Sequence, residues 1–170
     1  MSFGKSFGFS LLAFIGLNAG FFFLGYLING DLPLYFSGLA SAPLNIMQIF
    51  FGPIITGQFP LLLTSTFTSW FTGGLISPGD IVLFIGYIAA PIVAAILSGR
   101  FGEDKKQAFF GWFTTVMICA ATVLIGGVIQ LVILVAPFAL ILNQVFGSIA
   151  LGLVYGLGCG SIALLTTSEF

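Results

Sequence analysis

Histidine is absent from this 170-residue chain, and charged residues make up only 5% of it. Ordinary soluble domains carry about a quarter charged residues, which they need to cover their surface with groups that water solvates. Here 59% of the residues are hydrophobic and the mean hydropathy is +1.21, so lipid is the solvent that suits the composition. The sequence therefore predicts an integral membrane protein rather than a soluble one.

The shortage of reactive side chains excludes several kinds of site. Without histidine, the chain has no Ser/His/Asp or Cys/His catalytic set and no histidine-based metal site. Every Asp and Glu falls in a predicted turn, a loop or the C-terminal tail, so the predicted spans offer no carboxylate for proton transfer. We therefore expect no enzymatic activity, no catalytic residue, no metal site and no bound cofactor.

The few basic, cysteine and asparagine residues also limit which partners and which membrane we expect for this chain. Four scattered basic residues are too few for a nucleic-acid interface, which must neutralise phosphates. Cys119 and Cys159 lie inside long apolar runs, which favours packing roles over a disulfide framework. No Asn-x-Ser/Thr glycosylation acceptor occurs. We expect a prokaryotic cell membrane, with lipids and other integral membrane subunits as partners and no nucleic acid.

Long apolar runs predict four membrane-spanning helices, since about 20 apolar residues cross a bilayer. The predicted spans are residues 6–27, 81–99, 108–135 and 138–165. The last two share one uncharged stretch, and we predict a hinge at Ala136 and Pro137 because proline disfavours helix in the residue before it. Pro91 is expected to bend the second span.

The stretch 32–79 is apolar but broken by prolines and glycines, with prolines at positions 33, 43, 53 and 60. A straight helix cannot carry prolines at this spacing. The stretch could cross the membrane once, fold back as two short helices, or lie at the interface. The predicted fold is thus a single all-α polytopic membrane bundle over 1–170, with four spans plus a broken segment, and five or six spans as alternatives.

The few charges favour the arrangement that folds back. Basic residues near span ends are retained on the cytoplasmic side. If 32–79 returns to the side it came from, all four basic residues share one side, while Asp31 and Asp80 share the other. If it crosses once, Lys5 falls on the opposite side from the rest. We therefore predict a hairpin-like or re-entrant middle segment and cytoplasmic N- and C-termini.

Glycines at four-residue spacing mark two helix faces that could pack closely. The last span carries Gly152, Gly156 and Gly160, and the first repeats the spacing with Gly16 and Gly20. Membrane helices associate through small residues that let their backbones approach. The spacing predicts helix packing, either against a neighbour in the same chain or against another subunit.

Polar residues in and beside the broken segment are the candidates for a pathway. Asn45, Gln48 and Gln58 are amides at predicted membrane depth, where inter-helix hydrogen bonding is the ordinary role and a polar pathway is the alternative. Asp31 and Asp80 stand at span entrances on one face. Helix capping is the usual role of such a residue, and an entrance for a cation or substrate is the sharper hypothesis.

The run FGPIITG at 51–57, followed by a later Asp, resembles a pattern in the small substrate-capture proteins of energy-coupling-factor vitamin importers. Those proteins have about this length and six helices, so the resemblance implies a substrate-binding membrane protein. It covers only this short run, and it assigns no site residue in this chain.

Two functions follow from these observations. The leading expectation is a non-catalytic subunit of a larger membrane complex, because the chain has small-residue packing faces and little mass outside the membrane. The alternative is a small transporter or channel component for an uncharged or small solute, with segment 33–79 as its re-entrant element. A scaffold should depend on its partners for stability, whereas a transporter should have a hydrated cavity next to Gln48 and Gln58.

Overall fold

The structure, a computed structural model, describes residues 2–39, 42–55, 64–66, 68–69, 71–72 and 77–167. Within these ranges the chain is helical with no β-strand, and four helices are long and apolar enough to cross a membrane. The predicted all-α polytopic bundle is confirmed, and the chain is an integral membrane protein. The described residues hold four such helices, where the importer resemblance implied six.

The chain begins with a long helix and then breaks into short pieces. Helix α1 (Ser2–Asn29) is followed by α2 (Leu32–Gly38), a 3₁₀ turn (Pro43–Ile46), α3 (Met47–Phe51) and a second 3₁₀ turn (Gly52–Ile54). Residues 64–66, 68–69 and 71–72 are also helical. Three long helices follow: α4 (Pro78–Phe101), α5 (Lys105–Ile133) and α6 (Phe138–Thr166). Most ends lie a few residues beyond the predicted apolar runs, because a terminal helical turn can carry residues that water solvates.

Local signals explain where the long helices start and stop. Pro78 occupies the first turn of α4, where its missing N–H is not needed, and the helix continues through Pro91. The carboxylate of Asp104 accepts a hydrogen bond from the Gln107 N–H at 2.7 Å and so caps α5. The turn between α5 and α6 falls at the predicted hinge, with Pro137 directly before α6.

The long helices pack as antiparallel neighbours. Phe21 of α1 lies against Gly86 of α4, and the hydroxyl of Ser6 donates to the Ser98 carbonyl at 2.9 Å. Helices α5 and α6 are joined by the Trp112 indole N–H, which donates to the Tyr155 carbonyl at 3.1 Å. The main core lies between these helices and includes the following buried residues: Phe14, Ala94, Ala95, Trp112, Val116, Cys119, Ala120 and Ala163.

The two ends of the bundle differ in charge. At the Lys5 end, α1 begins beside the end of α4 and the start of α5, which carry the other three basic residues. At the Asp31 end, the Asn29 side chain accepts hydrogen bonds from the Ser77 hydroxyl and from the Gly79 N–H, and it donates to Asp80 at 3.4 Å. The segment between α1 and α4 therefore leaves from and returns to the Asp31 end.

Residues 42–55, which we call the re-entrant segment, enter the bundle from the Asp31 end. Their tip is buried: Gly52 lies against the Tyr87 ring, and Ile54 is fully buried in the core that contains Phe14 and Trp112. Phe14 is 15 residues from the end of α1, or about 22 Å at 1.5 Å per residue. The tip of the segment therefore reaches the middle of the bundle.

Replacement of Gly79 by Ala tests the α1–α4 contact. A Cβ at Gly79 would collide with the Gly25 carbonyl oxygen, which is backbone and cannot turn away, whereas a Cβ at Gly16 meets no atom within 4 Å. We expect Gly79→Ala to destabilise the protein by about 1–3 kcal/mol through overpacking. Gly16→Ala should be neutral or stabilising, because alanine is the better helix former.

Thermal unfolding of both variants in one detergent, followed by circular dichroism, makes the comparison. Equal shifts of the unfolding midpoint would contradict the close α1–α4 contact at Gly79.

Candidate functional site

A chamber of about 200 Å³ lies between the re-entrant segment, α5 and α6. Four of its lining side chains are amides: Asn45, Gln48, Gln130 and Gln144. The other lining residues are apolar: Met47, Ile55, Val123, Gly127 and Leu131. The described lining thus contains four amides and no side chain that ionises.

Three elements contribute to the chamber because glycines let them approach. Val123, Gly127 and Gln130 fall on one face of α5 at helical spacing. A Cβ at Gly126 would overlap the end of the Met47 side chain, and a Cβ at Gly127 would lie 2.5 Å from the Gln144 amide nitrogen. The glycine pair on α5 therefore admits the re-entrant segment on one side and the Gln144 side chain of α6 on the other.

The amides are only partly satisfied by one another. The Gln130 side chain donates to the Asn45 side-chain oxygen at 3.3 Å. The Gln144 side chain donates to the Ser148 hydroxyl at 3.1 Å and to the Val123 carbonyl at 3.5 Å. Gln48 has no hydrogen-bond partner within the described ranges. Because a carboxamide has one acceptor oxygen and two N–H donors, the chamber retains both donors and acceptors for an occupant.

The chamber reaches about a third of the way along α5 from the Asp31 end. Its deepest α5 residue, Val123, is ten residues from the end of that helix at Ile133, or about 15 Å at 1.5 Å per residue. The hydrocarbon layer of a bilayer is about 30 Å thick. Beyond the chamber, Ile54 packs in the core with Trp112 and Val116, which separates it from the Lys5 end.

A second cavity, of about 330 Å³, lies nearer the Asp31 end, and we call it the vestibule. It is lined by Tyr26, Asp31, Leu34, Tyr35, Gly38, Leu39 and Asn45. Asn45 lines both cavities: its backbone carbonyl accepts a hydrogen bond from the Tyr35 hydroxyl at 2.5 Å, and its side chain accepts one from Gln130. Asn45 therefore stands between the vestibule and the chamber.

The predicted pathway residues are distributed unevenly. Asn45 and Gln48 line the chamber, and Asp31 lines the vestibule, whereas Gln58 lies outside the described residues. Asp31 precedes α2, but its side chain makes no capping hydrogen bond. Asp80 lies in the first turn of α4 near Asn29 and lines neither cavity.

The sequence-based prediction of pathway residues did not include Gln130 and Gln144, although both are amides within predicted membrane spans.

The spaced glycines of α6 and those of α1 lie in different surroundings. Gly152, Gly156 and Gly160 are buried, and a Cβ on each would meet a side chain of α5, those of Ala120, Phe113 and Phe109 respectively. Their packing is intramolecular, so in this structure they present no surface to another subunit. Gly16 and Gly20 on α1 are exposed, and a Cβ on either would meet no atom within 4 Å.

Comparisons with known proteins give no relative for this chain. No protein-family model, no curated protein and no solved structure matches it.

Cysteine accessibility tests whether the chamber is hydrated and closed beneath. In a chain with Cys119→Ala and Cys159→Ala, we expect Gln48→Cys to react with a small membrane-impermeant methanethiosulfonate in proteoliposomes. Ile54→Cys should not react, because a thiol must ionise in water to react and Ile54 is fully buried in the core.

Both variants should react after unfolding in detergent, which serves as the control. Equal labelling of the two folded variants would contradict the packed floor of the chamber, and no labelling of Gln48→Cys would contradict its hydration.

Proposed function

We propose that this chain is a small membrane transporter whose amide-lined chamber binds a small, uncharged, hydrogen-bonding solute. The observation that carries the proposal is the convergence of four amide side chains from three separate elements on one cavity. Amides at membrane depth are ordinarily satisfied by neighbouring helices. Here part of their hydrogen-bonding capacity is turned toward an open volume instead, which suits recognition of a solute.

The chemistry of the lining favours a neutral solute. An ion would meet no opposite charge in the described lining, and a charged group at membrane depth is expensive without a partner. A solute that enters the chamber loses its hydrogen bonds to water. If it carries both donors and acceptors, as an amide, urea or a polyol does, hydrogen bonds to the chamber amides would replace them. This complementarity holds whichever way each carboxamide is turned, because each side chain supplies both kinds of group.

The size of the chamber favours a small solute. Pockets for drug-sized ligands span roughly 300–1,000 Å³, and this chamber is about 200 Å³. At about 30 Å³ per water, it has room for about seven waters. The proposed solute is therefore the size of a urea or polyol molecule rather than of a vitamin.

The closed floor supports a carrier over an open pore. Ile54 at the tip of the re-entrant segment is buried in the core between the chamber and the Lys5 end. Solute release toward that end would require this part of the core to open, as it would if one part of the bundle rocked against the other. The positive-inside rule and the four basic residues support an orientation with the Lys5 end in the cytoplasm and the vestibule outside. Transport should then saturate with solute concentration.

A second candidate is the subunit of a larger membrane complex. The observation that favours it is the outward glycine face of α1, where a Cβ on Gly4, Gly8, Gly16 or Gly20 would meet no atom within 4 Å. Such a face suits close approach of another membrane helix.

Extraction in mild detergent followed by mass measurement tests this candidate: a stoichiometric complex that Gly16→Leu dissociates would support it, and a stable monomer would contradict it.

Solute flux into proteoliposomes tests the transporter proposal. We expect vesicles containing the protein to reswell faster than empty vesicles in urea, acetamide or glycerol, as measured by stopped-flow light scattering. Gln144→Leu should reduce the rate to that of empty vesicles, because it removes an amide from the chamber. Asn143→Leu is the matched control: the neighbouring amide on α6 is exposed and lines neither cavity.

Circular dichroism of each reconstituted variant shows whether it is folded. Reswelling at the empty-vesicle rate for every solute of the series would contradict the proposal. An equal loss of flux in Asn143→Leu and Gln144→Leu would show that the chamber is not the route.

A further inference from the structure

The vestibule is built on a tight turn at the end of α1. Gly30 adopts a φ of 76°, its N–H donates to the Leu27 carbonyl at 3.1 Å, and the Asp31 N–H donates to the Tyr26 carbonyl at 3.0 Å. These two bonds define a Schellman motif, which ends a helix at a residue with positive φ. The Asp31 carbonyl in turn accepts from the Tyr35 N–H at 2.9 Å. The backbone therefore fixes Tyr26, Asp31 and Tyr35 next to one another.

The carboxylate of Asp31 is not used by the fold. It makes no cap for α2, and within the described ranges it has no hydrogen bond and no ion pair. The side chain is exposed and lines the vestibule. The backbone turn thus holds the negative charge of Asp31 at a fixed position facing the vestibule. Helix capping does not explain this position, because the carboxylate caps no helix.

Two tyrosine rings stand beside this carboxylate in the same cavity. The ring centroids of Tyr26 and Tyr35 are 5.0 Å apart, with the planes tilted by 60°. Buried Phe22 stacks on Tyr26 at 4.3 Å and meets Tyr35 edge-on at 4.8 Å, which fixes both rings from one side. The two rings contact each other, so no ligand fits between them, but both residues also line the vestibule. An aromatic ring face is electronegative and attracts an organic cation that lies against it.

The surrounding charges do not neutralise Asp31. From residue 6 to residue 99 the only charged side chains are Asp31 and Asp80, and all four basic residues belong to the Lys5 end. A metal ion is the weaker alternative: calcium takes six to eight oxygen ligands, and the described residues hold no group of three metal-ligating side chains. The negative field, one free carboxylate and two rings favour an ammonium group.

We propose that the vestibule is a binding site for an organic ammonium group, held by the carboxylate of Asp31 against the ring surfaces of Tyr26 and Tyr35 that line the cavity. The vestibule, at about 330 Å³, is larger than the chamber and accommodates an amine or methylated ammonium of the size of choline. The site goes beyond the proposed transport of neutral solutes. Because Asn45 lines both cavities, an occupied vestibule would lie directly against the entrance to the chamber.

Choline and its uncharged isostere 3,3-dimethyl-1-butanol distinguish a charge-specific site from a merely apolar one. We expect the purified full chain in detergent to bind choline at least about tenfold more tightly than the alcohol in titration calorimetry, because the two differ in charge and hardly in shape. Equal affinities for the two would overturn the proposal.

Variants assign the binding to the vestibule. Asp31→Asn should weaken choline binding at least about tenfold, while Asp80→Asn, which removes the other charge of this end, should change it less than about twofold. Tyr35→Phe keeps the ring and should retain binding, whereas Tyr35→Leu should weaken it about threefold or more. Unchanged binding in Asp31→Asn, or equal weakening in Asp31→Asn and Asp80→Asn, would contradict the site.

The Gln144→Leu variant separates this site from the transport proposal. Choline binding should persist in Gln144→Leu, because Gln144 lies in the chamber and not in the vestibule. Choline binding without flux of neutral solutes would support the vestibule and refute transport, and the reverse result would refute the vestibule alone.

Discussion

The rest of the structure depends on one constraint: a polar backbone group at membrane depth must find a partner inside the protein. The prolines of the re-entrant segment prevent a continuous helix, so this segment can enter the membrane only where other helices surround it. Helices α1, α4, α5 and α6 provide that surrounding, and Ile54 is buried among them. The amide-lined chamber lies along the side of this segment.

Charge is distributed so that the embedded part of the bundle stays neutral while one end attracts cations. The chamber offers amides, which can be satisfied at membrane depth at far lower cost than ions. Asp31 and Asp80, the only charged residues between positions 6 and 99, both lie at the end where the re-entrant segment enters. Asn45 links the two regions through its backbone and its side chain. The vestibule and the chamber are therefore consecutive compartments with different chemistry.

The sequence predicted those parts of the fold that depend on a continuous run of apolar residues. The four long helices were predictable because uninterrupted apolar runs end at charges, turns or proline. The chamber was only half predictable: Asn45 and Gln48 lie in the broken segment, but Gln130 joins Asn45 across 85 residues of chain, and no local pattern reports that contact. The spacing of the glycines also could not show that Gly152 faces α5 while Gly16 faces outward. Which face of a helix is covered depends on where the other helices pack, and the sequence of the helix alone does not give that.

The most direct test of the central claim is a crystal structure of the full chain in a lipidic phase, at a resolution that shows ordered water. We expect density for water or a small solute in the chamber, within hydrogen-bond distance of at least three of the four amides, Asn45, Gln48, Gln130 and Gln144. A chamber filled by a lipid chain, or amides that have turned to bond only to neighbouring helices, would contradict it.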